Sequence, residues 1–225
     1  MIEAVLFDLD GTLIDTAPDM GAALNNLLLE EGFDRLPIKR IRPLVSQGGM
    51  ALTRLGFEEK VEEADLQPLL MRYLQHYRSI VADSSTLFQG FDSVLQSLES
   101  RDLKWGIVTN KPEWLTIPLL EGLNLKERCA VVICGDTLEK KKPHPLPLIE
   151  AARRISVDCC SCIYIGDDER DIIAGNAAEM KTLIATYGYI PPHSDLAAWN
   201  AHGTIDQPLD LINHSLLTKL NDANT

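Results

Sequence analysis

The chain has 225 residues, 45% of them hydrophobic, and 21 Lys and Arg against 33 Asp and Glu leave a formal net charge of −12 at pH 7. That apolar content excludes wholesale disorder, and 14 Gly with 12 Pro is neither collagen-like nor low-complexity. The acidic balance repels phosphate backbones and anionic lipid, no apolar run approaches the roughly 20 residues of a membrane span, and the opening segment carries no basic leader; a cytoplasmic globule without nucleic acid or membrane as partner is expected.

The first element is a continuous apolar run at residues 3–8, the pattern of a parallel strand buried on both faces. The next run of this kind starts at Lys104, so the intervening stretch is far longer than one crossover helix. Most of it has helical period. Residues 19–31 put Met20, Leu24, Leu27 and Leu28 on one stripe, and residues 62–81 carry Leu66, Leu69, Leu70, Tyr73, Leu74 and Tyr77 at steps of three and four. An all-helical cap at residues 17–83 is therefore expected, inserted into a core of residues 1–16 and 84–225 and set over the carboxyl ends of its strands. Hinges are expected near residues 15–18 and 83–88.

Beyond the cap the sequence alternates regularly. Helical stretches at 91–100, 113–123, 147–155 and 171–179 interleave with apolar runs at 104–109, 130–134, 162–166 and 181–186. A weaker strand at 203–206 and a terminal helix from Pro208 to about Leu220 complete the series. The fold class predicted is α/β, a doubly wound parallel sheet. The five cysteines, at 129, 134, 159, 160 and 162, lie in or beside apolar segments without a second ligand pair at zinc spacing, which points to buried, reduced thiols.

Four segments at strand ends carry the chemistry. Asp8-Leu9-Asp10-Gly11-Thr12 leaves the first strand with two carboxylates on one side and a glycine that permits a sharp turn. Two acids so placed need a cation, a proton or a task for one of them. Thr109-Asn110-Lys111-Pro112 offers a hydroxyl and backbone N–H groups suited to phosphate oxygens. In Lys140-Lys141-Lys142-Pro143, Lys142 precedes a proline and is the lysine expected to point inward as a clamp on phosphate. Gly166-Asp167-Asp168-Glu169-Arg170-Asp171 opens a helix with more acid than a helix dipole requires, a set of hard oxygen donors suited to a Mg²⁺ completed by water and substrate. All four follow separate parallel strands, so folding brings them to one edge.

With these motifs the sequence resembles the haloacid dehalogenase-like hydrolase superfamily, in its phosphatase branch with a helical cap. Phe7 to Asp19, Val108 to Pro112, Lys141 to Leu148 and Thr186 to Tyr189 are similar to phosphoglycolate phosphatases, while residues 187–211 also look like the N-acetylmuramic acid 6-phosphate phosphatases. The resemblance implies that Asp8 is the nucleophile forming an aspartyl-phosphate and that Asp10 protonates the leaving alkoxide and then deprotonates water. It implies Mg²⁺ held by Asp8, the carbonyl of Asp10 and Asp167, with Asp168 or Asp171 behind them. Thr109, Asn110 and Gly11 would bind phosphate, and Lys142 would neutralise the charge shared by nucleophile and phosphoryl group. In the cap, Ser46, Gln47 and Gly48 form a turn that could approach the ester, and Arg42 or Arg54 are candidates for a substrate carboxylate. One departure from the family pattern is Glu179, where relatives commonly have Gly.

The expected partner is a small phosphorylated metabolite, and the expected assembly a monomer or homodimer. Three rivals are a β-phosphoglucomutase-like phosphomutase, a phosphorylatable receiver domain and a silent binding module. A receiver would be about half this length and without the helical insertion, and no motif position is lost as a silent module would allow.

Overall fold

The structure, a computed structural model, describes residues 1–57 and 61–218. Strand β1 (Ala4–Phe7) is buried at every residue. It leads into a two-residue strand β2 (Ile14–Asp15), and the helical segment follows: α1 (Ala17–Glu30), α2 (Ile38–Ile41), α3 (Gly49–Phe57) and α4 (Leu66–Ser79). The chain returns through β3 (Thr86–Leu87), which pairs antiparallel with β2. After that come α5 (Phe91–Ser100), β4 (Lys104–Val108), α6 (Glu113–Gly122), β5 (Val131–Ile133), α7 (Leu146–Arg154), β6 (Cys162–Gly166), α8 (Glu169–Ala177), β7 (Lys181–Ala185), β8 (Gly203–Ile205) and α9 (Ser215–Thr218).

Six of the strands form one sheet in the order β5-β4-β1-β6-β7-β8. Every pairing in it is parallel. The chain leaves β1 toward β4 and β5, then crosses back to β6 on the other side. The strand order reverses at β1, and the crevice at its carboxyl end is where such sheets bind ligands.

Alternation along β1 assigns the two faces. Val5 and Phe7 join the cluster under α5, with Val94, Leu95 and Leu98, whereas Ala4 and Leu6 pack toward α7 and α8, with Leu148, Ala151 and Ala174. A continuous apolar strand was therefore the correct signature of a sheet covered on both sides. The helical segment buries its own cluster, built from Met20, Leu24, Leu27, Leu28, Leu66, Leu69, Tyr73 and Tyr77. Leu115 and Tyr189, from beyond the segment, complete it.

The start of the helical segment and the chain returning from it are tied at one point. The buried Asp19 carboxylate accepts from the N–H groups of Ser84 and Ser85 and from the Ser85 hydroxyl at 2.6 to 3.1 Å, joining the start of α1 to the residues just before β3. Two expectations need correction. The predicted terminal helix is a 3₁₀ turn, Pro208–Asn213, and then the short α9, because His214 is extended between them; its expected end at Leu220 lies outside the described residues. Cys160 is exposed, since it sits on a 3₁₀ turn before β6, although Cys134 and Cys162 are buried. Among the described residues, no helix is long and apolar enough to cross a membrane.

Candidate active site

At the carboxyl end of β1, Asp8 is 7% exposed. The Lys142 ammonium, 3% exposed, donates to Asp8 Oδ1 at 2.7 Å, to Asp171 Oδ1 at 2.7 Å and to the Tyr164 hydroxyl at 2.8 Å. Its three N–H bonds thus have three partners, and Lys142 points inward as the sequence suggested. Burial alone would lower its pKa, but the carboxylates of Asp171 and Asp8 outweigh that and raise it, so Lys142 stays charged.

Asp167 follows β6 directly and is fully buried, accepting from the Thr12 hydroxyl at 2.8 Å and from the Tyr189 N–H at 2.8 Å. Gly11 makes the approach possible. Its φ is +87°, and a Cβ there would stand 2.3 Å from Asp167 Oδ2. Asp171 sits in the first turn of α8, where it accepts the Asp168 N–H at 3.1 Å as half of a capping box.

Asp8, Asp167 and Asp171 bring carboxylate oxygens within 4.8 Å of one another, all buried. Burial, against the opposing pull of Lys142, raises Asp8 to about 7, and burial with the charges of Asp8 and Asp171 raises Asp167 to about 8. Three buried acids share one ammonium, so the cluster lacks positive charge. Hard oxygen donors in that state fit a hard divalent cation.

The second carboxylate of the motif faces elsewhere. Asp10 accepts from the Thr16 hydroxyl at 2.6 Å and from the Lys111 ammonium at 2.9 and 3.2 Å. Its carbonyl oxygen lies 3.3 Å from the Ser46 hydroxyl, which also donates to Asp167 Oδ2 at 2.8 Å. Ser46 therefore carries the helical segment directly onto the acidic cluster.

A cavity of about 260 Å³ opens beside these groups. Asp8, Asp10, Thr109, Lys142 and Asp171 line one side of it, and Met20, Val45, Met50, Leu74, Tyr77 and Leu115 supply apolar surface. Ser46, Gln47 and Gly48 reach it as well.

Four of the residues expected at the site have protein partners in the structure. Arg54 pairs with Glu63 on the exposed surface and does not line the cavity. Arg42 forms a two-pronged pair with Asp15 and lies 4.9 Å over the Tyr189 ring, also away from the cavity. Each arginine meets a carboxylate that spacing could not reveal. Asn110 does line the cavity, but its amide exchanges hydrogen bonds with the backbone of Lys142 at 2.9 and 3.0 Å, so it positions the lysine. Asp168 turns to Arg170 at 2.7 and 2.8 Å and stays out of the acidic cluster. Burial would raise its carboxyl, yet the hydrogen bonds from Arg170 hold it below the usual range.

Sequence reasoning gave no role to Lys111, Arg170, Tyr164 or Tyr189. Arg170 donates to the Ser46 carbonyl at 2.8 Å, fastening the turn of the helical segment to α8. The Tyr189 hydroxyl donates to Asp15 at 2.6 Å and accepts the Ala17 N–H, so one residue touches both a cluster acid and the entry to α1. A polar side chain inside otherwise apolar strand β6 was the available signal for Tyr164.

The family model for haloacid dehalogenase-like hydrolases matches residues 5–185. A phosphoglycolate phosphatase of Xanthomonas campestris pv. campestris is 45% identical over 92% of this chain and 94% of its own. An N-acetylmuramic acid 6-phosphate phosphatase of Pseudomonas putida is 39% identical over 93% and 94%. Among solved structures, one described as a predicted phosphoglycolate phosphatase from Haemophilus somnus superimposes with a TM-score of 0.84 at 20% identity, covering 94% of this chain and 97% of that one. Family model, relatives and fold agree, and the chain belongs to the haloacid dehalogenase-like hydrolases.

Proposed function

We propose that this phosphatase is a Mg²⁺-dependent phosphoglycolate phosphatase working through an aspartyl-phosphate. The observation that carries the reading is the division of labour between the two motif carboxylates: Asp8 faces Lys142 and the buried acids, while Asp10 faces Thr16 and Lys111 across the cavity mouth.

Lys142 holds Asp8 Oδ1, so Oδ2 is the oxygen that attacks phosphorus. The ester P–O bond breaks as the Asp8 O–P bond forms, and Asp10 gives its proton to the departing alkoxide. Asp10 then takes a proton from water, whose oxygen attacks the phosphorus, releasing inorganic phosphate and restoring Asp8. Asp8, Asp167 and the Asp10 carbonyl would hold Mg²⁺, with Asp171 behind them, and the bound cation supplies positive charge to the phosphoryl oxygens. Thr109, which lines the cavity, would bind the same oxygens, and Lys142 offsets the charge that accumulates between nucleophile and phosphoryl group. The helical segment, 17–83, acts as the cap that excludes water, with Ser46 and Arg170 closing it onto the core.

A second reading, an N-acetylmuramic acid 6-phosphate phosphatase, is favoured by the apolar wall of Met20, Val45, Met50, Leu74 and Leu115, which suits a bulkier leaving group. The five unpaired cysteines accord with a reducing, cytoplasmic setting. The deciding experiment ranks kcat/KM with Mg²⁺ for 2-phosphoglycolate, N-acetylmuramic acid 6-phosphate and hexose phosphates. Inorganic phosphate release led by 2-phosphoglycolate supports the first reading. A lead for the amino sugar supports the second, and turnover only with an added sugar bisphosphate would establish a mutase instead.

A further inference from the structure

Among the described residues, four cationic side chains reach the cavity: Lys111, Lys141, Lys142 and Arg170. Lys141 is exposed. Lys142 spends its three N–H bonds on Asp8, Asp171 and Tyr164, and Arg170 is held by Asp168 and the Ser46 carbonyl. Lys111 differs from all of them. It is 8% exposed, and its ammonium has one charged partner, Asp10, with the Met20 sulfur at 3.9 Å and the Tyr77 ring centroid at 4.5 Å as its other neighbours. A thioether and an aromatic face are weak partners for a buried cation, and they leave N–H capacity for something stronger.

The position of that capacity matters. On the reading above, Asp10 hydrogen-bonds the leaving oxygen, and Lys111 lies 2.9 Å from the Asp10 carboxylate. In a phosphoester of a 2-hydroxy acid the carboxylate is attached to the carbon that bears the leaving oxygen, so covalent geometry places it within about 3 Å of that oxygen. A carboxylate there falls within reach of Lys111. A cavity walled by Met20, Leu74, Tyr77 and Leu115 makes a buried anion costly unless it is paired, so the same wall that repels an unpaired carboxylate sharpens the preference for one that meets the ammonium.

We propose that Lys111 is the specificity residue of this site, its ammonium receiving the carboxylate of a 2-phospho-oxy acid beside the leaving oxygen. This rests on the phosphatase reading and on Asp10 as proton donor. It makes the enzyme selective for an anionic group at that carbon, a property that neither Arg42 nor Arg54 supplies.

The test compares 2-phosphoglycolate with 2-hydroxyethyl phosphate, which replaces the carboxylate by a neutral hydroxymethyl, on the Mg²⁺-loaded full chain. The wild type is expected to prefer 2-phosphoglycolate by about 10²-fold or more in kcat/KM. Lys111→Met, with melting temperature checked, should lose about 10²-fold on 2-phosphoglycolate and under about tenfold on the neutral ester, and Lys111→Arg should restore part of the preference. Equal losses on both esters would make Lys111 a positioning residue for Asp10 and overturn the proposal, as would no loss on either. A wild type indifferent to the carboxylate overturns it while leaving the phosphatase reading intact, whereas a wild type inactive on every phosphomonoester removes both. Product inhibition of the wild type supplies a readout free of folding effects: glycolate should inhibit at least about tenfold more tightly than ethylene glycol, and equal inhibition contradicts the assignment.

Discussion

Replacing Lys142 with Met keeps the length of the side chain and removes, among the described residues, the only ammonium at the three buried acids. Asp8 and Asp171 lose hydrogen bonds of 2.7 Å each, and the Tyr164 hydroxyl loses one of 2.8 Å. Deleting one partner of a buried, hydrogen-bonded charge network costs about 3–5 kcal/mol. For a domain of this size that corresponds to a fall in Tm of about 6–20 °C. The acids can escape part of the cost by taking up protons. Asp8 is already raised to about 7 by burial with Lys142 present, and without the lysine it moves higher still. A carboxyl whose folded pKa lies above its unfolded value of about 3.9 weakens the fold progressively as pH rises from that value to the folded pKa. The deficit of Lys142→Met should therefore be larger at pH 8 than at pH 6. Thermal unfolding in chelator at both pH values measures it, and added divalent cation should recover part of the loss by supplying the missing charge. A variant within about 1 °C of wild type at pH 8 would refute the electrostatic account of the cluster.

The wild type obeys the same linkage: Asp8 and Asp167, raised to about 7 and about 8, hold protons that a cation must displace, so Mg²⁺ should raise Tm more at pH 8 than at pH 5.5. An equal rise at both would separate these acids from metal binding. Gly11→Ala drives a Cβ to 2.3 Å from Asp167 Oδ2 at a φ of +87°; Mg²⁺ affinity read from the activation curve should drop about 10–100-fold, and an unchanged curve counts against the role of Asp167. Glu179 has a φ of +61°, so Glu179→Gly should stabilise by about 0.5–1 kcal/mol with kcat unaltered, and a lower Tm would show that the left-handed strain is offset elsewhere.

Much of this could be read from the chain because the relevant signals are local. The continuous apolar run before Asp8 marked a strand covered on both faces, and the stripe of Met20, Leu24, Leu27 and Leu28 is buried as its spacing indicated. Lys142 was separable from its two neighbouring lysines by the proline that follows it. Which carboxylate each of the other cations meets was not legible. Arg42 is held by Asp15 and Arg54 by Glu63, whereas Lys111, given no role of its own in the segment after its strand, meets Asp10 across the fold. Residue type and spacing locate a strand end, but which charged side chain enters a cavity depends on the carboxylate that competes for it. The hydroxyl of Tyr164 and the double contact of Tyr189 are hidden for the same reason, since each is fixed by pairing between distant segments.

The covalent role of Asp8 is tested most directly by acid quench of the Mg²⁺-loaded enzyme during turnover of ³²P-labelled 2-phosphoglycolate, with Asp8→Asn in parallel. Wild type should retain acid-stable, hydroxylamine-labile label, and the folded variant should retain none while phosphate release falls by about 10³-fold or more. Label on the Asn variant, or phosphate release from it at the wild-type rate, would contradict the assignment of Asp8 as nucleophile.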